Sequence, residues 1–137
     1  LSESDILFIT IPLNMHTRNL INKNKLQKMK KDAILINVAR AEIINEKDLY
    51  EHLKENPRFK AGIDVWWTEP MSHGKFYTDY PFFELENFLG SPHNSAMVPN
   101  VFEYAFKSAL NNIKKFSLGE KPSNIVNADD YVSTTYT

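Results

Sequence analysis

"LINVARAEII", Leu35 to Ile44, is a run of leucine, isoleucine and valine that breaks to present one arginine, Arg40. The chain carries 13 lysines and only 3 arginines (Arg18, Arg40, Arg58), so a charge placed for solvation alone would more often be lysine. Arginine differs from lysine in gripping a carboxylate through two hydrogen bonds from a rigid planar fork. The bland alternative is a buried strand ending where charges ordinarily return to solvent. From this stretch alone the two readings stand level.

Working outward, "AILINVA" (Ala33–Ala39) is one strand of several. Upstream, "DILFITIP" (Asp5–Pro12) is a continuous apolar run closed by proline, the pattern of a strand buried on both faces. Between them, "NKNKLQKMKK" (Asn22–Lys31) is polar with Leu26 and Met29 three apart, a short helix. "NEKDLYEHLKEN" (Asn45–Asn56) has Asn45 at the N-cap, acidic residues in the first turn, and Leu49 and Leu53 at i,i+4, which predicts an amphipathic helix. "KAGIDVWW" (Lys60–Trp67) is the third strand, with Gly62 expected to allow close packing. "NFLGSP" (Asn87–Pro92) is a fourth, short one. From Ala96 to Gly119 the apolar positions Val98, Val101, Phe102, Ala105, Phe106, Ala109, Leu110 and Ile113 keep the helical period, with Gly119 as C-cap. Strands alternating with helices predict an α/β fold, a parallel sheet with right-handed crossovers.

Composition narrows the function. A length of 137 residues suffices for one domain with a core. The 16 basic and 17 acidic residues nearly cancel, which gives no electrostatic case for nucleic acid or an anionic membrane. Zero cysteines excludes disulfides, Cys-ligated zinc and a thiol nucleophile, and suits a cytoplasmic protein. No apolar run approaches the roughly 20 residues of a membrane span, and no signal peptide is expected before Ser2.

Ligands of open α/β sheets bind beyond the carboxyl ends of the strands. Those ends here read "IPLNMHT", "VAR", "DVWWTEP" and "SPHNS", which gathers Asn14, Arg40, Asp64, Glu69 and His93 at one edge. Singly each has an ordinary explanation: a strand-end carboxylate is commonly a cap, and His93 could simply pack in the loop before the last helix. Together they make an acid/base site. A strand-end carboxylate can orient a histidine and favour its imidazolium, and Arg40 would hold the carboxylate of a small α-keto or α-hydroxy acid. His16, His52 and His73 lack such surroundings. No metal site is expected, since no His-x-x-x-His or comparable cluster occurs. A serine triad lacks its nucleophile elbow.

"NVAR", "AGIDVWWTEP" and "SPHNS" in that order resemble the D-isomer-specific 2-hydroxyacid dehydrogenase family. "SDILFITIPLNMHTRNLIN" is similar to the strand and loop upstream of that family's arginine. "GEKPSNIVNADDYV" is similar to its C-terminal return to the substrate domain. The resemblance implies NAD as cofactor, with NADP an open alternative, and a small D-2-hydroxy or 2-keto acid as substrate. It implies Arg40 as the substrate-carboxylate arginine, Glu69 as the partner of histidine and His93 as proton donor or acceptor. Asp64 matches the position that bonds the nicotinamide carboxamide. Asn14, Val38, Ala39, Arg40, His93, Ser95 and Ala96 match positions lining the cofactor. The chain departs from the family pattern at Asn14 (commonly Thr), at Ala41 (usually Gly after the arginine), and at Trp66 and Trp67, which stand at variable positions and are expected to pack.

The glycine-rich fingerprint G-x-G-x-x-G is missing, because the only glycines are Gly62, Gly74, Gly90 and Gly119. The resemblance therefore implies the C-terminal half of a Rossmann-type domain, about four strands with flanking helices, over 1–117. Residues 118–137 would return toward an absent substrate domain. On this reading the chain alone is inactive, and a longer parent is the enzyme. A non-catalytic dimerisation or nucleotide-sensing module on the same fold is the alternative. The strand Asp5–Pro12 would be fourth in a sheet ordered 3-2-1-4-5-6 and would lack its inner neighbour, so self-association, as a homodimer, is expected, the competing expectation being that the C-terminal "NIVNADDYVSTTYT" folds back to cover the gap.

Overall fold

The computed structural model describes residues 1–131 of the chain. It divides into two compact units, the first spanning Leu1–Asn94 and the second beginning at Ser95.

The first unit is a sheet of four strands, β1 (Ile6–Ile9), β2 (Ile34–Asn37), β3 (Lys60–Ile63) and β4 (Phe88–Gly90). They lie side by side in chain order, every pair parallel. A parallel neighbour needs a crossover, and helices supply the first two: α1 (Lys23–Leu26) and α2 (Glu46–Glu55). Helix α2 forms where its cap and leucines predict. Asn45 Oδ1 accepts from the Asp48 N–H at 3.0 Å, and Leu49 and Leu53 are buried. Helix α1 is a single capped turn, shorter than the predicted ten residues.

Strand order decides which face is covered. When order rises steadily and crossovers are right-handed, the connecting helices fall on one side of the sheet. The core accordingly lies on that side, built from Leu26, Leu35, Ile43, Leu49, Leu53, Phe59, Ile63 and Phe82. Strand β1 is therefore not buried on both faces as its composition suggested: Ile9 is 5% exposed, but Ile6 is 50% and Phe8 59%.

Gly62 is not a close-packing position, since a Cβ there would meet only Ile36 Cγ1 at 3.8 Å. The tight glycine is Gly90, where a Cβ would fall 2.7 Å from Trp66 Cη2 and 2.9 Å from Phe83 Cε1. Both tryptophans pack as expected. Trp66 stacks on Phe83 and Trp67 on Phe82. The chain also makes a one-turn helix α3 (Pro70–His73), absent from the sequence reading, with Pro70 in its first turn.

The second unit contains α4 (Val101–Ser117), none of whose residues is buried. It starts later than the apolar period suggested. Pro99 biases Val98 away from helix, and Asn100 takes a left-handed φ of 63° at the N-cap. Gly119, with φ 73°, follows the last turn as predicted. No helix among the described residues is long and apolar enough to cross a membrane.

Candidate active site

Because all four strands are parallel, their C-terminal ends open on one edge, and the segments leaving them carry the candidate residues. At the exit of β1, Asn14 builds its own turn. Its Oδ1 accepts from the N–H groups of His16 (2.9 Å) and Thr17 (3.1 Å), and its N–H donates to Thr17 Oγ1 at 2.8 Å.

At the exit of β2, the break in the apolar run is explained by Asn37, which is fully buried. Its Oδ1 accepts from the Ala39 N–H at 3.0 Å and its Nδ2 donates to the Arg40 carbonyl at 2.8 Å. This brace shapes the loop Val38–Arg40 and keeps both buried polar ends satisfied. Arg40 is exposed and extended, with one N–H donated to the Ala39 carbonyl at 2.6 Å. Among the described residues most of the five donors of its fork have no partner, and such a fork can take a carboxylate.

Two carboxylates leave β3. Asp64, one residue past the strand, is 3% exposed. Its Oδ1 accepts from Ser91 Oγ at 2.5 Å and from the Asn94 N–H at 3.0 Å. Glu69 lies in extended backbone before Pro70, as the proline predicts, and caps α3. Its N–H donates to Nδ1 of His73 at 3.2 Å, so His73, set aside on sequence, helps fix this corner. A bridge between Thr68 and Tyr77 closes the same loop.

His93 leaves β4 and meets Glu69, Nδ1 to Oε2 at 2.8 Å, with the side chains 33% and 14% exposed. The pair joins residues 24 apart in sequence, as the reading of the strand ends required. A carboxylate on Nδ1 orients the ring and leaves Nε2 as the nitrogen that can face a reacting group. His93 has φ 52°, a backbone that costs a non-glycine residue about 1–3 kcal/mol unless its surroundings impose it. The exits of β2 and β4 lie two strand spacings apart, about 10 Å, a gap that a small acid and the side chains around it can fill.

Ser95 and Ala96, expected to line a cofactor, open the second unit and are exposed. A hollow of about 380 Å³ in that unit, lined by Met97–Glu103, holds none of the candidate residues. No group of three metal-ligating side chains occurs among the described residues. Val38, 36% exposed, and Ala39, partly buried, leave apolar surface at the exit of β2 that could take the flat ring of a dinucleotide. The phosphate end has no such place, since no glycine-rich turn is available to cradle it.

Residues 1–95 match the model of the D-isomer specific 2-hydroxyacid dehydrogenase NAD-binding domain. The chain is 36% identical to D-3-phosphoglycerate dehydrogenase of Methanocaldococcus jannaschii over 90% of its own length and 22% of the relative's. It is 35% identical to glyoxylate reductase of Pyrococcus horikoshii over 94% of its length and 37% of the relative's. Among solved structures, a D-isomer specific 2-hydroxyacid dehydrogenase from Xanthobacter autotrophicus Py2, in complex with NADPH and MES, superposes with a TM-score of 0.77 at 28% identity. That alignment covers 94% of this chain and 50% of the other. The chain thus spans between about a fifth and two-fifths of the curated relatives it matches.

Proposed function

The chain belongs to the D-isomer specific 2-hydroxyacid dehydrogenases, within their NAD-binding domain, and from that premise we propose that it supplies the acid/base and carboxylate-binding residues of such an oxidoreductase. The observation that carries this is the 2.8 Å contact of His93 with Glu69, at the same sheet edge as Arg40. The substrate class is a small D-2-hydroxy acid and its 2-keto counterpart. Residues 1–117 serve as the second half of the nucleotide domain and 118–137 as the return segment, of which 132–137 lie outside the described residues.

In the reducing direction Arg40 holds the substrate carboxylate, and imidazolium His93 gives its Nε2 proton to the carbonyl oxygen. Glu69 keeps the ring aimed and stabilises its positive charge before transfer. Bound nicotinamide supplies the hydride. In the oxidising direction neutral His93 takes the hydroxyl proton. Val38 and Ala39 would hold the nicotinamide ring and would keep water from the transfer.

The test replaces the corresponding stretch of the Pyrococcus horikoshii glyoxylate reductase with residues 1–131. A folded chimera should oxidise NADH or NADPH with glyoxylate, and His93→Ala should lower kcat by roughly 10² or more. Turnover unchanged by His93→Ala would overturn the assignment. Cofactor binding without any turnover would favour the sensing module. The chain by itself, lacking the phosphate cradle, should not turn over.

A further inference from the structure

We infer that Asp64 is a positioning residue for His93, clasping the histidine loop on both sides. The buried carboxylate at the exit of β3 accepts on one oxygen from Ser91 Oγ (2.5 Å) and from the Asn94 N–H (3.0 Å). Those two donors bracket Pro92 and His93. Two donors on one buried oxygen, one from each side of Pro92–His93, fix this short segment at both ends.

Two further bonds come from the same strand exit. Trp66 Nε1–H donates to the Ser91 carbonyl at 2.9 Å, and the Ser91 N–H donates to the Ile63 carbonyl at 2.9 Å. Every polar group of Ser91 is thereby tied to the stretch Ile63–Trp66. Only three residues beyond Trp66 stands Glu69, whose carboxylate meets the His93 ring. One segment leaving β3 therefore sets both the backbone and the ring of His93. Asp64 fixes where the loop runs, and Glu69 fixes which way the imidazole faces. The left-handed φ of 52° at His93 follows. Held at Ser91 and Asn94, the chain must turn tightly between them, and a residue with a side chain enters that region only when its neighbours compel it.

This role differs from contact with the nicotinamide carboxamide, which acts only when cofactor is present. Its catalytic consequence rests on the reading of His93 as the acid/base group, but the clasp itself does not. The experiment is therefore made on the cofactor-free chain. Imidazole ¹⁵N shifts of His93 report the Nδ1 hydrogen bond to Glu69, with Glu69→Gln as the reference for a broken pair. The three-bond amide–Hα coupling of His93 reports its φ.

Asp64→Ala should move the Nδ1 signal to the Glu69→Gln value and the coupling away from that of a left-handed residue. Ser91→Ala, which removes one arm, should move both partway. Amide protection of β2 and β3 shows whether each variant is folded. Should Asp64→Ala fail to fold, Ser91→Ala decides on the same signals. A folded Asp64→Ala, or Ser91→Ala where it decides, that leaves both signals unchanged overturns the clasp and leaves Asp64 a cofactor contact only. In the glyoxylate reductase chimera, Ser91→Ala should lower kcat roughly tenfold by misplacing the proton donor, with KM for cofactor within about twofold. If His93→Ala proves harmless there, the functional reading fails while the spectroscopic result stands.

Discussion

Gly90→Ala adds one methyl group at the end of β4, and the structure says where it must go. The new Cβ would lie 2.7 and 2.8 Å from Trp66 Cη2 and Cζ2, and 2.9 Å from Phe83 Cε1. Phe83 is 60% exposed and can swing outward. Trp66 cannot. It is 6% exposed, has Phe76, Phe83 and Phe88 around its ring, and is tethered through Nε1 to the Ser91 carbonyl. Overpacking of this kind costs about 1–3 kcal/mol, and losing the tryptophan hydrogen bond adds about 1 kcal/mol. A central value of about 3 kcal/mol, with a urea m-value of about 1.5 kcal/mol/M, lowers the unfolding midpoint by about 2 M. Urea titration followed by far-ultraviolet circular dichroism measures it. Adding Trp66→Phe removes the obstructing ring, so the double variant should lose less than the sum of the two single ones. A midpoint for Gly90→Ala within about 0.3 M of the parent, or strict additivity of the pair, would refute the steric account.

Burial holds the pKa of His52 below its usual value of 6.5, with Glu55 opposing part of the shift. The ring packs edge-on against Phe59, and its Nε2 is buried with no hydrogen-bond partner among the described residues. Below pH 6.5 the unfolded chain takes up a proton that the folded chain resists, so His52 contributes stability in full above that pH and loses it as pH falls. Urea midpoints between about pH 7.5 and about pH 5.5 should fall less in His52→Phe than in the parent; equal slopes would dismiss the idea. Burial pushes Glu46 up, which gives the opposite slope at lower pH as the folded chain binds the proton first. Asn87 Nδ2 lies 3.0, 3.2 and 2.7 Å from the carbonyls of Leu53, Asn56 and Phe59, tying the end of α2 to the start of β4. Asn87→Ala should destabilise by about 2–3 kcal/mol, from the carbonyls it leaves without a donor, and calorimetry showing under about 0.5 kcal/mol would contradict that. On its outer edge β1 pairs with no strand among the described residues, and Ile6 and Phe8 are exposed beside it. Sedimentation at micromolar concentration should therefore show self-association, and a clean monomer would count against it.

The sequence by itself settled several features that depend on local period and local chemistry. Asn45 capping α2 and Leu49 with Leu53 facing the core follow from spacing along a single element. The alternation of elements implied the parallel sheet, and a parallel sheet places every strand exit on one edge. That is why Arg40, Asp64, Glu69 and His93 could be grouped before any distance was known. The missing phosphate turn was equally plain, since four glycines so far apart cannot form it.

Tertiary structure decided which groups distant in sequence actually meet. Ser91 with Asp64, Trp66 with the Ser91 carbonyl, and Asn87 with the carbonyls in and just after the last turn of α2 join residues 25 to 34 positions apart. A polar side chain in sequence carries no mark of whether it faces water or a buried carbonyl. That depends on strand register and on the path of each loop. The same holds for glycine: Gly62 and Gly90 look alike in the text, but only Gly90 lies under an aromatic ring brought in from the neighbouring strand's exit. The apolar run in β1 says that its side chains avoid water, while the steady strand order says that its own crossover helices cover only one face. Periodicity is a property of one segment; coverage and hydrogen-bond partnership belong to pairs of segments, and only the fold assigns the pairs.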